Sequence, residues 1–136
     1  MLVLCKSASG KYLSGNARVI GENNETQFNP LRIGVEYKVY GVMFYPTRTD
    51  MLLCPDGSNP LWVPSNIFEV LDNALPNNWG CVLTEKKDGY SNLYEDFGIT
   101  AIFSYLQLVR SYQHYIGILE SEPDELQKFY EYKLSY

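Results

Sequence analysis

The side chains in this sequence that could do chemistry are one histidine, three cysteines and a run of carboxylates near the C-terminal end. His114 lies in the segment SYQHYIG, and a general base needs a partner held within hydrogen-bond distance. A cysteine and a histidine can form a nucleophilic pair, but no local motif joins His114 to Cys5, Cys54 or Cys81. His114 is therefore either a catalytic base or a surface or helix-facing residue, and the missing partner favours the second.

Motifs for cofactors and metals are absent from the sequence. It contains no glycine-rich phosphate loop, no HExxH segment and no GxSxG segment. The turn at residues 56–59 has calcium-like residues but lacks the rest of an EF-hand loop. An odd number of cysteines with no close pair predicts buried, reduced thiols rather than disulfides or a zinc site. We expect no catalytic residue, no cofactor and no metal, and so a protein that is not an enzyme.

Carboxylates and tyrosines together form the candidate partner-binding site. The acids have no base between Ser111 and Gln127. They either stabilise a helix start through the helix dipole or form a patch for a basic partner. Tyrosine at an interface supplies a large contact area with a polar tip. The eight candidate residues are Tyr112, Tyr115, Glu120, Glu122, Asp124, Glu125, Tyr130 and Tyr132.

Charge is spread unevenly along the chain, whose net charge is −5. Residues 1–84 hold 7 acids and 6 bases, whereas residues 85–136 hold 9 acids and 5 bases. This balance disfavours nucleic acid and anionic membranes as partners and favours a basic protein; the alternative is that the charge only keeps the protein in solution. We see no signal peptide and no run of about 20 apolar residues, so we expect a cytoplasmic protein.

Strands fill the first three quarters of the predicted structure and helices the last. Apolar alternation and turn residues predict strands over residues 2–6, 36–45, 51–54, 61–63, 68–71, 79–83 and 98–104. Gly41 interrupts the second of these and indicates a bulge or a sharp bend. Residues 7–30 are polar loops with one weak hairpin, and residues 90–97 are irregular. An apolar stripe predicts a helix over 108–119, and a second helix has Ser121 as its N-cap and Pro123 in its first turn.

The segment LWVPSNIFEVLD is the one around which we expect the strands to be arranged. Residues 61–63 form strand, Pro64 ends it, one tight helical turn covers 65–67, and a second strand follows. Trp62 and Phe68 are predicted to be core residues of this corner. WVPSNIFEV resembles the PSNYV-type corner of Src-homology-3 domains, although an ALYDY-like segment and a paired tryptophan are missing.

The predicted fold class is α+β. It is a small, strongly bent antiparallel β-sheet or Src-homology-3-like barrel followed by two C-terminal helices. A length of 136 residues fits one domain. Residues 1–30 form a polar N-terminal strand and loops, 31–104 a β-rich core and 105–136 a helical C-terminal part.

A second resemblance covers residues 31–136. LRIGVEYKVYGVMFY, the LLCPDG turn, PLWVPSNIFEVLDNALPNNW and the tail ESEPDELQKFYEY resemble small bacterial immunity proteins of contact-dependent growth inhibition and polymorphic toxin systems. The resemblance implies a cytoplasmic toxin inhibitor that binds the C-terminal catalytic domain of a toxin, such as a nuclease, as a monomer in a one-to-one complex. The alternative is a non-catalytic protein- or peptide-binding module of Src-homology-3-like type.

Overall fold

The computed structural model describes residues 1–136. Its eight strands are β1 (Leu2–Cys5), β2 (Glu36–Lys38), β3 (Gly41–Phe44), β4 (Thr49–Leu53), β5 (Leu61–Pro64), β6 (Phe68–Asp72), β7 (Trp79–Leu83) and β8 (Ala101–Tyr105). Its four α-helices are α1 (Ser91–Phe97), α2 (Leu106–Arg110), α3 (Tyr112–Leu119) and α4 (Pro123–Ser135). Short 3-10 turns occupy Gly10–Tyr12, Gly15–Ala17, Ser65–Ile67 and Thr84–Lys86. No helix is long and apolar enough to cross a membrane.

The strands form two antiparallel sheets, which confirms an α+β fold with C-terminal helices. One sheet has three strands in the order β2-β1-β6, and the other has five in the order β5-β4-β3-β8-β7. Every pairing is antiparallel. The sheets are not closed, so the strand pairing does not establish a Src-homology-3-like barrel.

The five-stranded sheet lies between the helices and the smaller sheet, which cover both faces of its strand β4, whereas Cys81 and Leu83 of its edge strand β7 are exposed. Along β4, Leu52 packs in a 15-residue cluster with the helices. Its neighbours Met51 and Leu53 belong to an 8-residue cluster shared with the smaller sheet. Successive side chains of a strand point to opposite faces. A strand with two covered faces typically has a continuous apolar run, as Met51, Leu52 and Leu53 have in β4.

The strand predicted over residues 36–45 is two strands in two different sheets. β2 pairs with β1 in the smaller sheet, and β3 pairs with β4 and β8 in the larger one. The chain changes sheets just before Gly41, where an added Cβ would lie 3.0 Å from both a ring atom of Trp62 and Oγ of Ser104. The predicted bend is confirmed, and glycine is required there because three strands and an indole ring crowd the backbone.

The strand–turn–strand corner forms over the predicted residues, but its two strands belong to different sheets. β5 is an edge of the larger sheet, the 3-10 turn follows, and β6 is an edge of the smaller one. Trp62 and Phe68 are half-buried and pack against the two apolar clusters, so they contact the core as predicted but are not fully buried in it. The fully buried side chains of the corner are Val63 and Ile67, which pack between the two sheets.

The C-terminal half departs from the sequence prediction at three places. Residues 90–97, predicted to be irregular, contain helix α1, which ends at Gly98 in the left-handed conformation (φ 72°). The stripe over 108–119 is two helices, because Ser111 breaks it and accepts a hydrogen bond from the backbone N–H of His114. α4 begins at Pro123 as expected, but its N-cap is Glu122, and Ser121 lies in the turn before it with φ 56°.

The N-terminal segment is irregular, as predicted, but the weak hairpin is absent. A single bridge joins Ser9 to Gln27, and Tyr12 lies in a 3-10 turn with its side chain exposed.

Candidate functional site

Two of the eight candidate residues are buried, so their predicted place on a partner-facing surface is wrong. Tyr115 is 3% exposed and its ring packs against Tyr112, Tyr90 and Trp62. Glu125 is 4% exposed, and its carboxylate accepts hydrogen bonds from His114 and from Lys128. Both face inward because α3 and α4 pack against each other and against the five-stranded sheet.

His114 lies inside a hydrogen-bonded row of four side chains. Its Nδ1 is 2.6 Å from Oε2 of Glu125, and its Nε2 is 2.7 Å from the hydroxyl of Tyr105. Because a carboxylate only accepts, Nδ1 carries the proton and Nε2 accepts from Tyr105. Oε1 of Glu125 accepts from Lys128 at 3.0 Å. The helix-facing alternative for His114 is confirmed, since its partner Glu125 belongs to α4.

Burial and hydrogen bonding set the charge states in this row. Burial lowers the pKa of His114 below its ordinary 6.5, although Glu125 acts in the opposite direction. The hydrogen bond from His114, followed by that from Lys128, lowers the pKa of Glu125. Burial raises the pKa of Tyr105. A neutral imidazole between a carboxylate and a phenol is also the arrangement of a catalytic relay. His114, however, is only 1% exposed and is closed off from the surface. The row therefore ties β8, α3 and α4 together.

Two more of the candidate tyrosines also support the fold. The ring of Tyr132 stacks on Tyr105 with centroids 4.1 Å apart, and its hydroxyl accepts a 2.7 Å hydrogen bond from the indole N–H of Trp79. Tyr130 donates a 3.2 Å hydrogen bond to Asn59, whose amide donates to Ser121. The contacts of Tyr132 dock α4 onto β7 and β8, and those of Asn59 dock α4 and the turn before it onto the loop between β4 and β5.

Three of the four remaining candidates lie at the surface, where α3 turns into α4. Glu120, Glu122 and Asp124 are exposed. Tyr112, at the start of α3, is half-buried. We call the segment 120–124 the acidic corner; it contains three carboxylates and no base.

An apolar groove of about 570 Å³ lies beside the acidic corner, and sequence analysis missed it. It is bounded by α1, α3 and strands β3 to β5, and 12 of its 16 lining residues are hydrophobic. Its main walls are Trp62, Leu93, Phe97, Tyr112, Ile116 and Leu119. Leu119 immediately precedes Glu120, so the groove and the acidic corner adjoin. The lining comes from segments far apart in sequence, and one of them, α1, was predicted to be irregular.

The cysteines and acids form no metal centre. Cys5 and Cys54 are buried, as expected, whereas Cys81 is exposed, contrary to expectation. Burial is the main cause that raises the pKa of each thiol. No group of three or more histidine, cysteine, aspartate or glutamate side chains is placed to hold a metal ion.

Comparison with known proteins gives no match: no family model, no curated protein and no solved structure matches this chain. The resemblances to immunity proteins and to the Src-homology-3 corner therefore rest on the sequence segments quoted above. The groove, the acidic corner and the charge distribution are the features of this chain that bear on its function.

Proposed function

We propose that the protein is a cytoplasmic immunity protein that binds the C-terminal catalytic domain of a cognate bacterial toxin and occludes its active site in a one-to-one complex. The observation that carries the proposal is the acidic corner beside a large apolar groove. Together they form one surface with exposed carboxylates on one side and aromatic side chains on the other. A basic protein surface with apolar anchors is its complement.

Charge complementarity supports a nuclease as the toxin. A nuclease holds a phosphate backbone, so the surface around its active site is basic. Glu120 and Glu122 are exposed and unpaired by any base, and they would attract such a surface before contact is made. This long-range attraction raises the association rate and weakens with added salt.

Apolar contact supports a long-lived complex. Phe97 is 52% exposed and Leu119 is 49% exposed, and both line the groove. Burying exposed apolar side chains is favourable by roughly 25 cal/mol per Å². Aromatic anchors that are desolvated at the centre of an interface mainly lower the dissociation rate. Inhibition by occlusion needs no catalytic group, which fits a histidine that is used inside the fold.

One observation favours a second function, a Src-homology-3-like peptide-binding module. Trp62 belongs to the strand–turn–strand corner and lines the groove together with Tyr112. Aromatic grooves of this kind bind proline-rich peptides in polyproline II conformation. This second function would go with a barrel related to that of Src-homology-3 domains. Titration with a proline-rich peptide distinguishes the two functions, because a toxin inhibitor is not expected to bind such a peptide.

The test is purification of the protein from its native cell, with mass spectrometry to identify the partner. We expect one basic protein with a catalytic domain in a complex of one copy each. The association rate of that partner is then measured for the double variant Glu120→Lys/Glu122→Lys, over a range of salt concentrations. We expect slower association and a flatter salt dependence.

A matched control is the double variant Glu36→Lys/Glu69→Lys. Both residues are exposed, and each lies beside Leu4 in the three-stranded sheet. The change in net charge is the same, and the only ion pair lost is an exposed one between Glu69 and Lys6, which contributes little stability. Equal kinetic effects of the two double variants would contradict binding at the acidic corner. An acidic partner, or one without a catalytic domain, would contradict the immunity function.

A further inference from the structure

We propose that the groove receives a lysine or arginine side chain of the partner, with the aliphatic stem against its apolar walls and the cationic head above Asp50. This inference rests on the proposed function and specifies how its groove is filled. Two observations support it. The buried charged cluster below the groove has two carboxylates but only one guanidinium, and no basic side chain lines the groove.

In this buried cluster the carboxylates of Asp50 and Glu22 share the guanidinium of Arg48. Asp50 accepts two hydrogen bonds from Arg48, at 2.6 Å from Nε and 3.1 Å from Nη2. Glu22 accepts a further hydrogen bond from Nη1 of Arg48, which also donates to the backbone carbonyl of Ala17. The three side chains are between 0% and 5% exposed. With both acids ionised, this buried cluster has a net charge of −1.

Asp50 connects this surplus charge to the groove, because it is one of the lining residues. Each of its oxygens accepts one hydrogen bond from Arg48, and a carboxylate offers about four acceptor positions. Burial, opposed by Arg48 and assisted by Glu22, raises the pKa of Asp50. A second cation placed above Asp50 would offset the charge that Arg48 alone leaves unbalanced.

The walls suit the rest of a basic side chain. Tyr45, Trp62, Tyr112 and Tyr115 line the groove, and the faces of aromatic rings attract cations. Tyr45 already makes such a contact below the groove, where the guanidinium of Arg48 lies 5.1 Å from its ring centre. The long aliphatic stems of lysine and arginine pack along apolar surface while the charged head reaches a polar group.

Charge selects a cation over other occupants. Asp96 is a second carboxylate in the lining and is exposed, while no lysine, arginine or histidine lines the groove. An anionic group would meet two carboxylates, and a purely apolar one would leave Asp50 without an additional donor. The volume of about 570 Å³ lies within the range of pockets that bind small ligands, so it accommodates a whole side chain.

The experiment uses the full-length protein and an acetylated, amidated Leu-Arg-Leu peptide as the probe. Binding is followed by NMR chemical shifts, and the same peptide with glutamine in place of arginine is the control ligand. We expect the arginine peptide to shift the signals of Trp62, Ile116 and Leu119, and the glutamine peptide to bind at least fivefold more weakly, as roughly 1 kcal/mol of charge interaction gives. Shifts located elsewhere, or equal binding of the two peptides, would overturn the inference.

Two variants of the groove lining, with a third variant as control, test the roles of the charge and the walls. Asp96→Asn removes an exposed carboxylate of the groove, and Glu36→Gln removes one from the distant three-stranded sheet. Ile20→Lys places a cation at a 54% exposed position of the lining. We expect Asp96→Asn and Ile20→Lys to weaken the arginine peptide and Glu36→Gln to leave it unchanged. Equal affinities of all three variants would overturn the inference.

The peptide assay needs no toxin, so the two proposals fail separately. A groove that binds the arginine peptide in a protein whose partner is not a toxin contradicts only the proposed function. A protein that neutralises its toxin equally well with Ile20→Lys contradicts only the proposed use of the groove.

Discussion

At the level of single residues, His114 joins three elements that are apart in sequence. Tyr105 lies in β8, Glu125 in α4 and His114 in α3. Sequence analysis could name a helix-facing histidine but not its partners, because no local spacing relates residues that meet only after α3 and α4 have packed. The sequence presents the acids as one group for the same reason, but Glu122 is the N-cap of α4, whereas Glu125 lies in the first turn of α4 and bonds to His114.

His114 should make stability depend on pH. Because burial lowers its pKa below 6.5, the unfolded chain binds a proton that the folded protein does not. The free energy of unfolding therefore falls as pH drops below about 6.5. Glu125, whose pKa is lowered from 4.5, extends the loss to lower pH as it protonates. The measurement is urea unfolding of the wild type and of His114→Gln between pH 8 and pH 5.

The glutamine variant isolates the histidine from other titrating groups. The side chain of Asp50, with its raised pKa, titrates in both proteins and cancels in the difference. We expect the wild type to be the more stable at pH 8 and its advantage to shrink towards pH 5. An advantage that grows as pH falls would mean that the folded protein takes up the proton on His114.

Tyr132 is the second residue whose role is changed by the structure. Replacement by alanine removes the stack on Tyr105 and leaves the indole N–H of Trp79 without its partner, so we expect a loss of about 3 kcal/mol in stability. Tyr132→Phe keeps the stack and should cost about 1 kcal/mol. Tyr12→Ala, at a 66% exposed position, serves as a control within about 0.5 kcal/mol of the wild type. Thermal and urea unfolding measure all three, and a neutral Tyr132→Ala would return this tyrosine to the list of interface candidates.

At the level of elements, Gly117 determines how closely α3 and α4 approach. Glycine weakens a helix by about 1 kcal/mol relative to alanine, so the sequence alone predicts that Gly117→Ala is stabilising. The structure predicts the reverse, because an added Cβ would lie 2.3 Å from Cγ and 2.6 Å from Cβ of Glu125. Separating the helices would also stretch the hydrogen bond between His114 and Glu125.

We expect Gly117→Ala to lower the free energy of unfolding by roughly 1–3 kcal/mol, as overpacking does. A second variant, Gly15→Ala, supplies the control, since nothing lies within 4 Å of an added Cβ there. Urea unfolding gives both values. A more stable Gly117→Ala protein would show that α4 is packed less tightly than the structure has it.

Prediction of the elements succeeded where local signals were sufficient. The corner over 61–72 was located correctly from Pro64 and its flanking strand formers, and Pro123 correctly marked the start of α4. Helix α1 was missed although Leu93 and Phe97 have helical spacing and Gly98 is a C-terminal stop signal. The assignment of β5 and β6 to different sheets has no local signal, because strand pairing is decided by which apolar faces meet.

At the level of the whole molecule, the three layers separate stability from the proposed binding surface. The two apolar clusters lie on opposite faces of the five-stranded sheet, and the groove opens where α1, α3 and the edge of that sheet meet. Sequence analysis found the exposed acids of this surface, Glu120, Glu122 and Asp124. It could not find the groove, because a groove is made by elements whose relative positions depend on the packing of both layers.

Titration of the partner's catalytic activity tests the proposed stoichiometric occlusion. The partner recovered from the native cell is held at a concentration far above the dissociation constant, and the protein is added in steps. We expect turnover to fall linearly and to reach zero at one equivalent, while Glu120→Lys/Glu122→Lys reaches the same endpoint with slower onset. Turnover that persists when several equivalents of the protein have been added and all of the partner is bound, or turnover that does not change at any point, would contradict occlusion.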